Sequence, residues 1–250
     1  MRASHVVALG VAALVLAAIV ASRTELGDGT GGSAAPAPTG TAAATRSVAP
    51  EPPADPTPPH RHSVVVAGVD LEITAAEVTV GDQRADGTRT ITTSGAPAYG
   101  TGTPGAEVTE HGDRSVTVLR DGTPVAALTP AARGEKTAGG TGSPSRGATV
   151  LTLGDDALDS TAWAQREGEG GLSLAVVPAS WVRGGGEATL DLLAAQLAAA
   201  EPETDSDTMR DQLACHHLGA PDKASWNLEP WRPDVGMFGT IAARCNPTDS

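Results

Sequence analysis

The sequence predicts an α+β protein in which an antiparallel, β-rich body is followed by a small helical C-terminal region fastened by a disulfide. Short β-branched runs between Gly-rich turns fill residues 63–185. A leucine pattern with helical spacing opens residues 186–250, and the two cysteines, Cys215 and Cys245, both lie there. Strands followed by helices, instead of alternating with them, are typical of the α+β class.

The N-terminal residues 1–22 are typical of a secretory signal, because Arg2 precedes an uncharged and mostly apolar run over residues 6–21. As a helix this run is about 24 Å long at about 1.5 Å per residue, shorter than the roughly 30 Å of the bilayer's hydrocarbon core. We therefore expect cleavage near Ala21 or Ser22, with an uncleaved signal anchor as the alternative. Either fate predicts a secreted or cell-envelope location.

Residues 23–62 are predicted to be a disordered linker. Eight prolines between Pro36 and Pro59 stand among Ala, Thr and Gly, which leaves too little apolar side chain to offset the entropy of ordering. The segment is either a stalk or a simple spacer.

The region that follows is predicted to form short antiparallel strands. The signals are β-branched runs, alternating polarity and turn dipeptides, of which Asp121 and Gly122 predict a hairpin. The predicted strands cover residues 62–69, 71–74, 78–80, 88–93, 115–119, 124–128, 148–153, 161–166 and 172–177. The Gly-rich residues 95–105 and 133–147 are predicted to be mobile loops, and His111 is predicted to lie in an exposed turn.

Two helices are predicted after Pro178. Leu190, Leu193 and Leu197 share one face of a helix over residues 189–200. A second helix is predicted to run to about His217, with Gly219 as its stop. Its cap is predicted to be Asp205, Ser206 or Asp207.

A last helix is predicted after Asp234, with Val235, Phe238 and Ala242 in line and Cys245 at its end; a strand is the alternative.

Export predicts that Cys215 and Cys245 form a disulfide. On the loop-entropy estimate this bond stabilises the fold by about 3.5 kcal/mol. Zinc would need more ligands, and the adjacent His216 and His217 point about 100° apart on a helix, so no metal site is predicted. A catalytic thiol is disfavoured because the second cysteine would oxidise it. No cofactor is predicted.

Two prolines restrict the chain inside the disulfide loop. Pro230 and Pro233 keep the residues before them out of the helical region, so residues 226–233 are predicted to be extended. A polyproline arrangement would then place Glu229 and Arg232 on one face as an ion pair. Trp226 and Trp231 would face different sides, which makes both of them, with Arg232, candidate binding residues.

The net charge of −13, with lysine only at Lys136 and Lys223, argues against a nucleic-acid or anionic-membrane surface. Contact with a membrane is therefore expected only through the N-terminal segment. The oligomeric state is left open.

The C-terminal block resembles a known bacterial family. The runs DQLACH at 211–216, WNLEPWRPDVG at 226–236 and ARCNP at 243–247, with Lys223 between the first two, resemble the signature of the family called domain of unknown function 2599. The resemblance covers about residues 163–247. It implies an exported protein of a kind frequent in actinobacteria, and it implies no activity. Met237 stands where the family usually has an aromatic residue.

Two functional hypotheses follow. The first is a non-catalytic binding or structural module of the cell envelope, with a cell-wall glycan or a surface protein as its partner and with Trp163 and Trp181 filling the seam between sheet and helices. The second is a secreted enzyme, a hydrolase or an antibacterial effector. Its candidate catalytic residues are His216 or His217 as general base, Glu229 or Lys223 as acid, and Arg232 for an anionic group. Whether the protein is an enzyme is left open.

Overall fold

The computed structural model describes residues 59–131 and 147–248, apart from residues 167 and 169. All of them lie within one compact unit, Ala54–Ser250. The predicted signal segment lies outside the described residues.

Most of the predicted linker and of the loop at 133–147 also lies outside the described residues. At the linker's C-terminal end, however, His60, Arg61 and His62 belong to the first strand and not to the linker.

Three antiparallel sheets make up the β structure of the described residues. The first has the order β1-β2-β5, the second β3-β4-β9-β8-β7-β6 and the third β10-β11-β12. The strands are β1 His60–Val66, β2 Val69–Ala75, β3 Glu77–Val80, β4 Arg89–Ser94, β5 Ala98–Thr101, β6 Ala106–Glu110, β7 Val116–Arg120, β8 Thr123–Pro130, β9 Ala148–Gly154, β10 Leu158–Arg166, β11 Gly171–Pro178 and β12 Trp226–Leu228.

The predicted hairpin is confirmed. Strands β7 and β8 are joined by Asp121 and Gly122, whose φ angles of 51° and 79° match the left-handed pair that a tight two-residue turn requires. The single strand predicted over residues 62–69 is wrong, because a second left-handed pair, Ala67 and Gly68, divides it into β1 and the start of β2.

The prediction that residues 95–105 form a mobile loop is also wrong. Strand β5 lies inside this segment and pairs with β2, and β6 follows it and pairs with β7. Backbone hydrogen bonds hold both strands, so their side chains do not need the apolar alternation by which strands are recognised in a sequence.

The six-stranded sheet buries side chains on both faces. Ala126 and Leu128 of β8 join a core with the first three-stranded sheet, whereas Ala127 joins a second core with the helices. Polar residues also reach the second face, since the Thr117 hydroxyl donates to Asp191 Oδ2 over 3.0 Å. The six-stranded sheet is therefore the middle of three layers, between a sheet and a helix.

Three α-helices are present in the described residues: α1 Glu187–Ala200, α2 Asp207–Gly219 and α3 Gly236–Ala242. The first two confirm the predicted helices, and they pack with the third sheet around Leu192, Leu193, Met209 and Trp226. None of the helices in the described part of the chain is long and apolar enough to cross a membrane.

The apolar face predicted for α3 does not pack inward. Phe238 is 91% exposed and Val235 is 45% exposed, while Thr240 is the helix's buried residue. The disulfide between Cys215 and Cys245 fastens this segment to α2. The β-rich, antiparallel structure and the C-terminal disulfide agree with the predicted α+β class.

Candidate functional site

Helix α2 directs three consecutive side chains at three different neighbours. Cys215 is bonded to Cys245 beside α3, His216 contacts β12 and His217 contacts α1. Successive residues of a helix point about 100° apart, so a run of three buried residues requires a helix that is enclosed on most sides. All three residues are buried, with the histidines 5% and 8% exposed.

The side chain of His216 contacts an aromatic ring and a backbone carbonyl group. Its imidazole lies parallel to the indole of Trp226, with 6.5 Å between ring centroids, and its Nε2 lies 3.1 Å from the carbonyl oxygen of Asn227. Burial lowers the pKa of His216. The ring is therefore neutral at pH 7, with Nε2–H donating to the carbonyl, and its buried Nδ1 has no hydrogen-bond partner among the described residues.

His217 contacts the other side of the same tryptophan. Its ring meets Trp226 edge-on at 6.0 Å, and its Nε2 lies 3.2 Å from the hydroxyl of Thr189 in α1. Burial lowers the pKa of His217 as well, against the opposing effect of a hydrogen bond to the backbone of Val182. Both histidines thus line a fully buried tryptophan and do not face solvent.

Glu229 and Arg232 form the predicted ion pair, but the backbone that brings them together is a turn. The Arg232 N–H donates to the Glu229 carbonyl over 3.3 Å, which closes a β-turn with Pro230 in its second position. The prediction of an extended segment is therefore correct for β12 and wrong for residues 229–232. The Arg232 Nε bonds Glu229 Oε2, with the two side chains 9% and 4% exposed.

Gln212 ties this turn to helix α2. Its side-chain amide donates to the Glu229 carbonyl and accepts from the Glu229 N–H, each over 2.9 Å. Gln212 is fully buried, and its role was not predicted from the sequence. The available signal was a polar residue on the helix face that also carries Met209, Leu213 and His216.

Trp231 is half-buried against the start of β11, where the strand has a glycine, Gly171, and so no side chain. A Cβ atom added at Gly171 would lie 2.6 Å from the Trp231 ring, so glycine is needed there for the ring to approach β11. The Arg232 guanidinium lies 4.6 Å from the ring centroid, and its Nη1 donates to the Pro247 carbonyl over 3.0 Å. These contacts connect the turn, the third sheet and the end of the described chain.

Lys223 does not join this cluster. It is exposed, and its carbonyl accepts a hydrogen bond from Arg183. The same guanidinium donates to the carbonyls of Pro178 over 3.0 Å and Ala224 over 2.7 Å. Arg183, which the sequence analysis did not single out, therefore fixes the connection between α2 and β12.

The two remaining tryptophans pack against the helical core, as predicted. Trp163 donates to Glu201 over 2.9 Å, and Trp181 donates to the Asp156 carbonyl over 2.8 Å. Hydrogen bonds from Thr161 and Trp163 lower the pKa of Glu201.

His111 corrects the prediction of an exposed turn. Its side chain is 13% exposed, and its two ring nitrogens each lie 3.4 Å from a carboxylate of α1, Glu187 for Nδ1 and Asp191 for Nε2. The turn that carries His111 is covered by α1, which the sequence analysis could not place.

The predicted site residues therefore do not converge on an open surface. His216, Glu229 and Arg232 are close together but buried in contacts with the fold, and Lys223 lies apart on the surface. A cleft of about 270 Å³ lies elsewhere, between the six-stranded sheet and the segment around Trp181. Within residues 59–131 and 147–248, no group of three or more His, Cys, Asp or Glu residues is placed to hold a metal ion.

The protein is therefore an α+β protein with antiparallel sheets, and a disulfide and a buried ion pair close its C-terminal region. Residues 158–248 match the family described as "Protein of unknown function (DUF2599)". The resemblance inferred from the C-terminal motifs is thereby confirmed.

The relatives come from mycobacteria, which are actinobacteria. Uncharacterized protein Rv0477 of Mycobacterium tuberculosis and Uncharacterized protein Mb0487 of Mycobacterium bovis are each 41% identical to this chain over 99 residues. The alignments cover 36% of this chain, and the chain spans 65% of the length of these relatives. No solved structure matches the chain.

Proposed function

We propose that the protein is an exported component of the bacterial cell envelope whose folded part is a non-catalytic binding or structural module. The observation that carries this proposal is the use of the C-terminal polar residues. Glu229, Arg232, Gln212 and His216 each bond to groups inside the fold. Groups committed in this way stabilise one conformation, whereas a general acid or base has to reach a substrate.

The disulfide supports the location. Bonds of this kind persist in oxidising compartments and are rare in the cytosol, so Cys215–Cys245 is consistent with an extracytoplasmic protein. The apolar residues 6–21 would supply the export signal, as a cleaved peptide or as an anchor. The Pro-rich residues would then separate the folded part from the membrane.

The partner class follows from location and charge. A chain with a net charge of −13 is a poor ligand for nucleic acids and for anionic lipid. A cell-wall glycan, or another protein at the cell surface, is the partner that we propose. We propose no cofactor for this role.

Retention of the full chain on isolated actinobacterial cell walls tests the binding function. We expect the chain to sediment with the walls and an unrelated acidic β-rich protein to stay in solution. An equal distribution of the two proteins would overturn the binding role.

Labelling of thiols in intact cells tests the location. We expect the protein in the extracytoplasmic fraction, and we expect a maleimide to label it only after a reductant has been added. Direct labelling of protein recovered from the cytosol would contradict export.

A further inference from the structure

We infer that the cleft beside Trp181 is a saccharide-binding site in which one sugar ring stacks on the indole. The inference rests on the proposed function, since it assigns the partner class and the place where that partner binds. The cleft of about 270 Å³ lies where the ends of β8 and β9 meet the glycine-rich segment that precedes α1. It is slightly smaller than the roughly 300–1,000 Å³ of sites for drug-sized ligands, so it suits a single small unit.

Trp181 is fixed before any ligand arrives. The indole ring lies against Gly154, where an added Cβ would be 2.6 Å from ring atom Cζ2. The indole N–H is already bonded to the Asp156 carbonyl. With its polar edge satisfied inside the protein, the ring offers the cleft an apolar surface, which is the surface that the C–H face of a sugar covers.

Hydroxyl groups stand on the sheet side of the cleft. Thr129 and Thr152 both line it and are each only 5% exposed. The Thr129 oxygen accepts from the Gly186 N–H over 3.2 Å, which leaves its hydrogen free to donate. The Thr152 hydroxyl lines the same cleft, so a hydroxyl of the ligand would be a hydrogen-bond partner for it.

Charged groups complete the lining. Arg183 donates to three carbonyls and forms no ion pair with any described residue. Arg84 and Asp86 also line the cleft. Burial raises the pKa of Asp86, but the hydrogen bonds from Thr88 and the charge of Arg84 together outweigh burial, so the pKa of Asp86 is lowered. An apolar ring face between hydroxyls, cations and a carboxylate matches a sugar, whose faces are apolar and whose rim is polar.

The test is titration of the full chain with N-acetylglucosamine and, separately, with N-acetylmuramic acid. The four tryptophans give four indole N–H signals in a proton–nitrogen correlation spectrum. We expect a saturable shift of the Trp181 signal with at least one of the two sugars, while the signal of the buried Trp226 stays in place. No shift at Trp181 with either sugar would overturn the inference.

Two variants report on the two sides of the cleft. Trp181→Ala removes the aromatic ring on which the sugar stacks and should weaken binding about tenfold or more. Thr152→Val keeps the shape of the side chain and should weaken binding roughly twofold to tenfold through the lost hydrogen bond. Thr149→Val, on the same strand but outside the cleft, is the matched control and should leave affinity unchanged. Equal affinity in the Thr152 and Thr149 variants, with Trp181→Ala also unchanged, would contradict the site.

The cell-wall assay separates this inference from the proposed function. If the wild-type chain is retained on walls and Trp181→Ala is retained equally, the envelope role stands and the cleft is the wrong site. If the wild-type chain is not retained but its Trp181 signal shifts with sugar, the cleft stands and the cell-wall role fails.

Discussion

At the scale of single residues, the C-terminal polar groups are arranged as internal ties. The clearest case is the pair between Glu229 and Arg232, because both side chains are almost completely removed from water. A buried pair of this kind contributes little compared with an apolar one of the same shape, but removal of one partner leaves an uncompensated charge. The pair therefore acts as a constraint on the conformation of the turn.

Replacement of Arg232 by Met should be strongly destabilising. We expect a loss of about 3–5 kcal/mol in the free energy of unfolding, since Glu229 would remain buried and unpaired. Arg210→Met is the matched control, because Arg210 bonds Asp205 and Asp207 on the surface and such pairs are worth about 0–1 kcal/mol. Urea unfolding of both variants measures the difference. Similar losses would show that burial of the Glu229 pair has no special effect.

The buried histidines predict a dependence of stability on pH. Burial lowers the pKa of His216 and His217, so below the unfolded value of about 6.5 the unfolded chain binds protons that the folded chain does not. The free energy of unfolding should therefore fall between pH 7 and pH 5, by at most about 1.4 kcal/mol per pH unit for each histidine.

His216→Phe should keep the contact with Trp226 and reduce this slope, whereas His62→Gln on the exposed part of β1 should not. Urea unfolding at pH 7, 6 and 5 provides the measurement. Lys223, Glu229 and Arg232 lie near His216, and Asp113 lies near His217. None of these charged residues is substituted in any variant of the series. An unchanged slope in His216→Phe would contradict the prediction for that residue.

At the scale of elements, α3 depends on covalent attachment more than on packing. Phe238 and Ile241 of this helix and the preceding Val235 are exposed, and the helix has only seven residues. Isolated helices of this length are not stable in water. The bond between Cys215 and Cys245 therefore holds in place a helix that contributes little apolar surface to the core.

The double variant Cys215→Ser, Cys245→Ser should lose about 3.5 kcal/mol of stability by the loop-entropy estimate. The loss of order should be concentrated in α3, so hydrogen exchange of residues 236–242 should accelerate more than exchange in α1. Phe238→Ser provides a contrast, because at an exposed position it should change stability by no more than about 0.5 kcal/mol. Protection of α3 that is unchanged without the disulfide would refute the dependence.

The elements differ in how far the sequence specifies them. Helices α1 and α2 were predictable, because their apolar residues recur at helical spacing, with Leu190, Leu193 and Leu197 in α1 and Met209 and Leu213 in α2. Strands β5 and β6 were not predictable. Backbone pairing with β2 and β7 holds them, so their sequences do not need the apolar alternation that indicates a strand. The turn at residues 229–232 was missed because proline restricts its neighbours without choosing between an extended segment and a turn with proline in its second position. The ion pair itself was predictable, since either backbone brings its two residues together.

At the scale of the whole molecule, side chains from the turn between β6 and β7 cap helix α1. The Glu187 N–H donates to Asp113 over 2.8 Å, and the Ala188 N–H donates to Ser115 over 3.0 Å. Helix N-termini have free N–H groups, which are usually capped by the residue just before the helix. Here the preceding residue is Gly186, so the cap comes from a distant part of the chain. The two hydrophobic cores are thereby linked by hydrogen bonds as well as by the sheet they share.

Asp113→Ala should test this link. We expect a loss of about 0.5–2 kcal/mol, as for the removal of a helix cap, and a reduction in the protection of α1 from hydrogen exchange. Asp159→Ala, at an exposed position in β10, is the control and should change stability by about 0.5 kcal/mol or less. Protection of α1 equal to wild type in the Asp113 variant would mean that packing alone couples the layers.

The position of Cys245 has a consequence for the order of folding during synthesis. A chain is synthesised from its N-terminus, so strands β1 to β11 and helices α1 and α2 have all been made while Cys215 is still an unpaired thiol. Its partner Cys245 follows 30 residues later. The hydrogen bond from Arg232 to the Pro247 carbonyl also cannot form until that residue has been made. Until then Cys215 is open to other thiols, and the C-terminal region can close only where the two cysteines can be oxidised. The oxidising environment thus takes part in the last step of folding.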